Sequence, residues 1–133
     1  MDINKINISK IETFLNGILD NVVSKNTFFT ATPDASVVKS SDWKDIVLID
    51  IPNGVRDFDA YGKGTVLIYL FARPQESGRK NVAVLSKMEA RLNEVINTSS
   101  NDTYLLKRRL TFTGYDTNID WHYNVVEITL TIL

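Results

Sequence analysis

The chain lacks cysteine altogether and has one histidine, three prolines and six glycines among its 133 residues. Without thiols there is no disulfide, no thiolate zinc site and no thiol nucleophile. A single imidazole excludes a multi-histidine metal centre within one chain. Charge of one sign is also lacking: 15 Lys plus Arg stand against 16 Asp plus Glu, for a net charge of -1. A dedicated nucleic-acid or membrane-surface binder normally carries a basic excess, so this balance argues against both. No apolar run approaches the roughly 20 residues that cross a bilayer. The start of the chain is polar and mixed, with no basic stretch leading into an apolar core, so no signal peptide is expected. On that expectation the sequons at Asn7 and Asn101 have no consequence. There is no internal repeat and no low-complexity tract.

What is present is the make-up of a soluble globular protein, 44% hydrophobic and 23% charged. The length suits one domain spanning residues 1–133, able to bury roughly two thirds of its unfolded surface. Ser9 and Glu12 fit a capping box. Ile11, Phe14, Leu15, Ile18, Leu19 and Val22 then recur at helical spacing, which predicts an amphipathic helix over residues 7–24. Gly17 inside it costs about 1 kcal/mol relative to alanine, and its small size would let a neighbouring backbone approach. Residues 26–44 read as irregular, punctuated by Pro33, Asp34 and the Ser40, Ser41, Asp42 cluster. Residues 46–51 and 65–72 are near-continuous apolar runs and predict strands covered on both faces. Between them, residues 53–64 interleave charges with aromatics and are flanked by glycines, which predicts a protruding loop or hairpin arm.

Leu85, Met88, Leu92, Val95 and Ile96 predict a second helix over residues 81–97. Arg79 and Lys80 precede it, where the helix dipole disfavours cations, so another partner for those charges is expected. The last third alternates with period two and predicts a hairpin. Leu106, Leu110 and Phe112 share one face of its first strand, and Lys107, Arg109, Thr111 and Thr113 the other. In its second strand Val126, Ile128, Leu130 and Ile132 oppose Val125, Glu127, Thr129 and Thr131. The predicted order is α-β-β-α-β-β, an α+β fold with one mainly antiparallel sheet and two amphipathic helices.

The terminal segment, residues 125–133, is β-prone and carries Glu127 as its one charge. As a free edge it would invite aggregation, so it is expected to be central or covered. Two helices shield one face of such a sheet but hardly both, and a second copy of the chain would supply the remaining cover.

Candidate chemistry is sparse. His122 falls on the Val126 and Ile128 face without a nucleophile motif, which reads as a structural or interfacial residue. Asp57 and Asp59 form a D-x-D pair that could ligate Mg²⁺ or Ca²⁺ given more oxygens from elsewhere. With Arg56 and Lys63 alongside, salt bridging across a subunit contact is the preferred reading. Asp42, Asp45 and Asp50 flank the first strand and read as solvated or capping residues. Lys107, Arg108 and Arg109 form a basic run, but Arg108 points away from its two neighbours, so it makes no single patch. Gly62 and Gly64 precede a strand rather than a helix, which excludes a dinucleotide or phosphate loop. No catalytic residue, cofactor site or metal site is expected.

In size and element order the chain resembles bacteriophage tail-terminator, or tail-completion and head–tail joining, proteins. The resemblance rests on the amphipathic helix over residues 8–23 and on the apolar strand leading into the charged arm, residues 46–64. It continues through the strand at 66–73, the helix at 84–96, and the closing hairpin with Trp121 and His122 before the alternating strand. It implies a non-enzymatic structural protein of the virion, assembled in the bacterial host cytoplasm, that forms a homo-oligomeric ring, typically hexameric. Such a ring caps the tail tube, offers a surface to the head connector, and passes DNA through its lumen without base-specific contacts. Interface residues of the family vary too much to be carried over singly. The candidate contact residues are therefore drawn from the arm (Arg56, Asp57, Phe58, Asp59, Tyr61, Lys63) and the terminal strand (Val125, Glu127, Thr129, Thr131). A small intracellular adaptor domain, homodimeric, is the alternative reading, and a metal-dependent enzyme acting through Asp57 and Asp59 is the third.

Overall fold

A computed structural model describes residues 6–133; the polar stretch at residues 1–5, part of the segment read above for a leader, lies outside the described residues. The chain is α+β, with three helices and one six-stranded mixed sheet. The elements run α1 (Ile8–Leu19), β1 (Thr27–Phe29), α2 (Ala35–Ser40), β2 (Asp45–Asp50), β3 (Val55–Asp57), β4 (Gly62–Ala72), α3 (Val82–Thr98), β5 (Tyr104–Asp116) and β6 (Trp121–Ile132). The sheet order is β1-β2-β4-β6-β5, with β3 also paired to β4.

The simpler expected order is thereby corrected. The segment read as irregular holds β1, parallel to β2, and the short helix α2. Three and six residues are too short to display a period, and both elements depend on tertiary contacts. Asp34 caps α2 by accepting from the Ser36 N–H at 3.0 Å.

α1 also departs from the expectation at both ends. Its cap is Asn7, which accepts from the Lys10 N–H at 3.2 Å, rather than Ser9, whose carbonyl is taken by the Thr13 hydroxyl. The helix stops at Leu19 because Asn21 adopts a left-handed φ of 60°, a conformation asparagine tolerates. The turn that follows buries Val23 and leaves Val22 exposed, so Val22 does not extend the apolar stripe. Gly17 is exposed with open space around it, and no backbone approaches it.

α1 and α3 lie on one sheet face. Ile11, Leu15 and Leu19 of α1 and Leu85, Met88 and Leu92 of α3 pack on Val47, Ile49, Val66, Ile68, Leu70, Val126, Ile128 and Leu130. Each such side chain contributes about 1.5–3 kcal/mol by leaving water. A ring stack of Phe14 on Tyr104, centroids 4.4 Å apart, closes this layer toward the arm. A smaller cluster on the opposite face gathers Val38 of α2, Ile46, Leu48, Phe71, Ile119 and Trp121.

Arg73 ties α2 to the sheet. Its Nε donates to the Trp43 carbonyl at 2.6 Å, one terminal nitrogen donates to the Val38 and Ser41 carbonyls at 3.1 Å, and the guanidinium lies 4.9 Å from the centre of the Trp121 ring. Lys80 finds the partner expected for it. Its ammonium donates to Thr113 Oγ1 at 2.8 Å and to Asn124 Oδ1 at 3.3 Å, fastening the loop before α3 to the hairpin.

β6 is central, flanked by β4 and β5, so the most aggregation-prone segment is paired on both sides. The free edges fall instead to β5 on one side and to the short strands β1 and β3 on the other. The register of β5 shifts between Arg108 and Thr111, and that bulge overturns the simple alternation expected there. Before the bulge Leu106 and Arg108 face the helices; after it Thr111, Thr113 and Tyr115 do, opposite Val126, Asn124 and His122. Leu110 and Phe112 therefore do not join Leu106 on one face, and both are exposed.

Candidate assembly surface

Pairing in β2 through β6 fixes which side chains share the face away from α1 and α3. Four rows cross it. Arg56 lies beside Lys63, Thr131 and Leu105. Thr65 lies beside Thr129 and Lys107. Asp50 lies beside Leu67 and Glu127. Leu48 lies beside Tyr69, Val125 and Phe112.

The second core cluster covers only the end of this face near α2. Toward the arm, Thr65, Leu67, Glu127, Thr129 and Thr131 are half-buried, and Arg56, Lys63, Leu105 and Lys107 are exposed. Phe112 and Leu105 expose 45% and 41% of their surface, enough to leave an apolar border on the free β5 edge. Six of the expected contact residues thus share one face: Arg56, Lys63, Val125, Glu127, Thr129 and Thr131. Val125 is the exception among them in accessibility. It is fully buried beneath its own chain and fills the sheet rather than offering a contact.

Asp57, Phe58, Asp59 and Tyr61 stand apart, at the tip of the hairpin formed by β3 and β4. The tip is built locally. Asp57 Oδ1 accepts from the Asp59 N–H at 2.7 Å, and Asp59 takes a left-handed φ of 67°. The Phe58 N–H closes the turn on the Tyr61 carbonyl at 2.8 Å. The Phe58 and Tyr61 rings stack at 5.1 Å, and the Arg56 guanidinium sits 5.1 Å from the Phe58 centroid. The arm is therefore an ordered hairpin with an aromatic tip. At its base Gly64 passes so close to β3 that a Cβ there would meet the Gly54 carbonyl at 2.8 Å. Gly64 serves this close backbone passage, and Gly54 supplies the left-handed φ of 66° at the turn.

Asp57 is engaged within its own turn, and among the described residues no group of three or more His, Asp or Glu side chains gathers to hold a metal ion. His122 packs edge-on against Tyr115 at 4.9 Å, and its buried Nδ1 finds no hydrogen-bond partner among the described residues. Arg108 turns to the helix face and meets Asn93 and, at 3.8 Å, Glu89 of α3, while Lys107 lies on the open face. The basic run is split, as the parity of the strand requires.

Tyr69 titrates above its ordinary value of 10.0, because burial disfavours the phenolate and the nearby Asp50 and Tyr123 add to that effect. Leu67, Tyr69, Leu105 and Phe112 were missed as surface candidates. The strand at 65–72 reads as uniformly apolar, and the placement of Phe112 depends on a bulge that no local pattern announces. No family profile matches this chain, and no curated protein is significantly similar to it.

Proposed function

We propose that this chain is a non-enzymatic structural protein of a bacteriophage virion that assembles into a ring at the head–tail junction and caps the tail tube. The observation that carries this reading is the half-covered sheet face bordered by two free edges. At the arm end of the sheet the strand order is β3-β4-β6-β5, so β3 with its hairpin tip lies on one side and β5 on the other. Two different edges on opposite sides are what a head-to-tail contact requires, and such contacts form a ring when the rotation between copies closes. In this reading the arm of one copy meets β5 and the open face of the next, with Arg56, Phe58, Tyr61 and Lys63 against Leu105, Lys107 and Phe112. A ring of six follows from the resemblance in size and element order. Its rims would meet the tail-tube protein and the head connector, its lumen would pass DNA without base-specific contacts, and it would assemble in the host cytoplasm before residing in the virion.

The single continuous patch also suits an isologous dimer, the arrangement of a small intracellular adaptor domain. Negative-stain electron microscopy of the purified protein separates the two. Closed rings of uniform size are expected; compact two-lobed particles would favour the adaptor.

A further inference from the structure

A cleft of about 520 Å³ opens at the end of the sheet remote from the arm, where the turn after α1 meets the start of β2. Lys25 enters it from that turn, Lys44 from the approach to β2, and Arg91 from α3. All three are exposed, and none of the three side chains has a hydrogen-bond or ion-pair partner among the described residues. Of the two carboxylates in the walls, Asp45 is committed to the Ser24 hydroxyl at 2.5 Å. Asp42 and Asp45 set two negative charges against three uncommitted cations, a net positive balance.

The walls are rigid. Ser24 is buried and also receives the Asn26 N–H at 3.0 Å, while Asn26 Nδ2 donates to the Asp45 carbonyl at 3.0 Å. Trp43 is held through its carbonyl by Arg73 and through its N–H by Ser41 Oγ at 3.3 Å, and its ring leans on Phe28 with centroids 5.8 Å apart. The cleft thus joins a fixed aromatic wall to cations from three separate elements. Its volume lies within the ~300–1,000 Å³ range of small-ligand sites.

We propose that this cleft binds a phosphate-bearing anion, with Lys25, Lys44 and Arg91 on the phosphate oxygens and Trp43 against the ligand's apolar part. Three cations from separate elements around one cleft match a multiply charged oxyanion better than a single carboxylate, and charge-assisted hydrogen bonds to phosphate are the strong ones. The phosphate could be supplied by a free nucleotide or by the backbone of a nucleic-acid strand. The inference goes beyond the assembly reading and uses none of its surface.

Amide NMR spectra recorded during titration with inorganic pyrophosphate, a nucleoside diphosphate and a short single-stranded DNA test it. Pyrophosphate is expected to shift the amides of residues 24–26 and 43–45. Lys25→Ala and Arg91→Ala, at exposed positions, are expected each to weaken binding about tenfold, the loss of one such contact. Tighter binding of the nucleoside diphosphate than of pyrophosphate assigns the site to a free nucleotide; tighter binding of the DNA than of either assigns it to a strand. Absence of shifts at millimolar concentration of all three, or shifts that survive both substitutions, overturns the proposal. Particle mass is expected to be unchanged in both variants, so failure here stays separate from failure of the ring.

Discussion

Arg73 shows how one side chain organises a segment that has little structure of its own. Its guanidinium gathers the Val38, Ser41 and Trp43 carbonyls and stacks near Trp121, so residues 38–43 converge on one cation. Hydrogen bonds to a charged donor contribute about 1.5–3 kcal/mol net, and carbonyls left without a partner in a half-buried site cost more. Arg73→Ala is therefore expected to lower stability by about 2–4 kcal/mol, read from the urea midpoint. A loss within about 0.5 kcal/mol, typical of an uninvolved surface position, would contradict this role. Gly17 carries the opposite expectation. Nothing surrounds it in α1, so Gly17→Ala should stabilise the protein by about 0.5–1 kcal/mol, and a measured loss would mean that an unseen neighbour occupies that space. Neither role is legible in the sequence. An arginine at a strand end beside a proline announces no partner, and a glycine on a helix face reads equally as packing contact or as open surface.

Elements with several turns or clear alternation were legible, and short ones were not. α3 displays its buried stripe openly in Leu85, Met88, Leu92, Val95 and Ile96, and β6 displays its own in Val126, Ile128, Leu130 and Ile132. β2 and β4 were read within a few residues because covered strands leave continuous apolar runs. β1 and α2 carry too few residues for a period. The end of α1 was hidden because Val22 fits the helical stripe by spacing, although Asn21 turns the chain first. The candidate surface was half legible for the same reasons. Parity in β6 put Glu127, Thr129 and Thr131 together correctly, whereas the bulge in β5 reversed parity and concealed Phe112.

α2 also gives a pH expectation. The Asp34 carboxyl is held below its ordinary value of 3.8, first by the Ser36 N–H and then by the Ser36 hydroxyl. A depressed folded-state value means the carboxylate stabilises the fold above the ordinary value, and that contribution is lost as pH falls through the lowered one. Amide hydrogen exchange at Val37 and Val38, whose N–H groups bond the Asp34 carbonyl, should accelerate across that acid window. Asp34→Asn, which caps without titrating, should remove the acceleration. An unchanged pH profile in this variant would show that Asp34 is not the group responsible.

At the scale of the whole molecule, what needs explaining is an imbalance of cover. One sheet face is roofed by α1 and α3, while the other is roofed only near α2. The terminal strand, the segment with the greatest appetite for pairing, is satisfied within the chain, so in the proposed ring the contacts fall to β5, the open half-face and the arm. A charge placed in that half-face should block association without unfolding the subunit. Thr129→Asp, at a half-buried position flanked by Thr65 and Lys107, is expected to leave the thermal midpoint within a few degrees of the parent and to reduce the particle to a single subunit. An oligomer that persists would place the contact elsewhere.

Native mass spectrometry across a concentration series tests the central claim most directly. The account predicts a concentration-dependent closed oligomer larger than a dimer, with six copies as the expected number. A particle that remains one 15.1 kDa subunit at every concentration would contradict it.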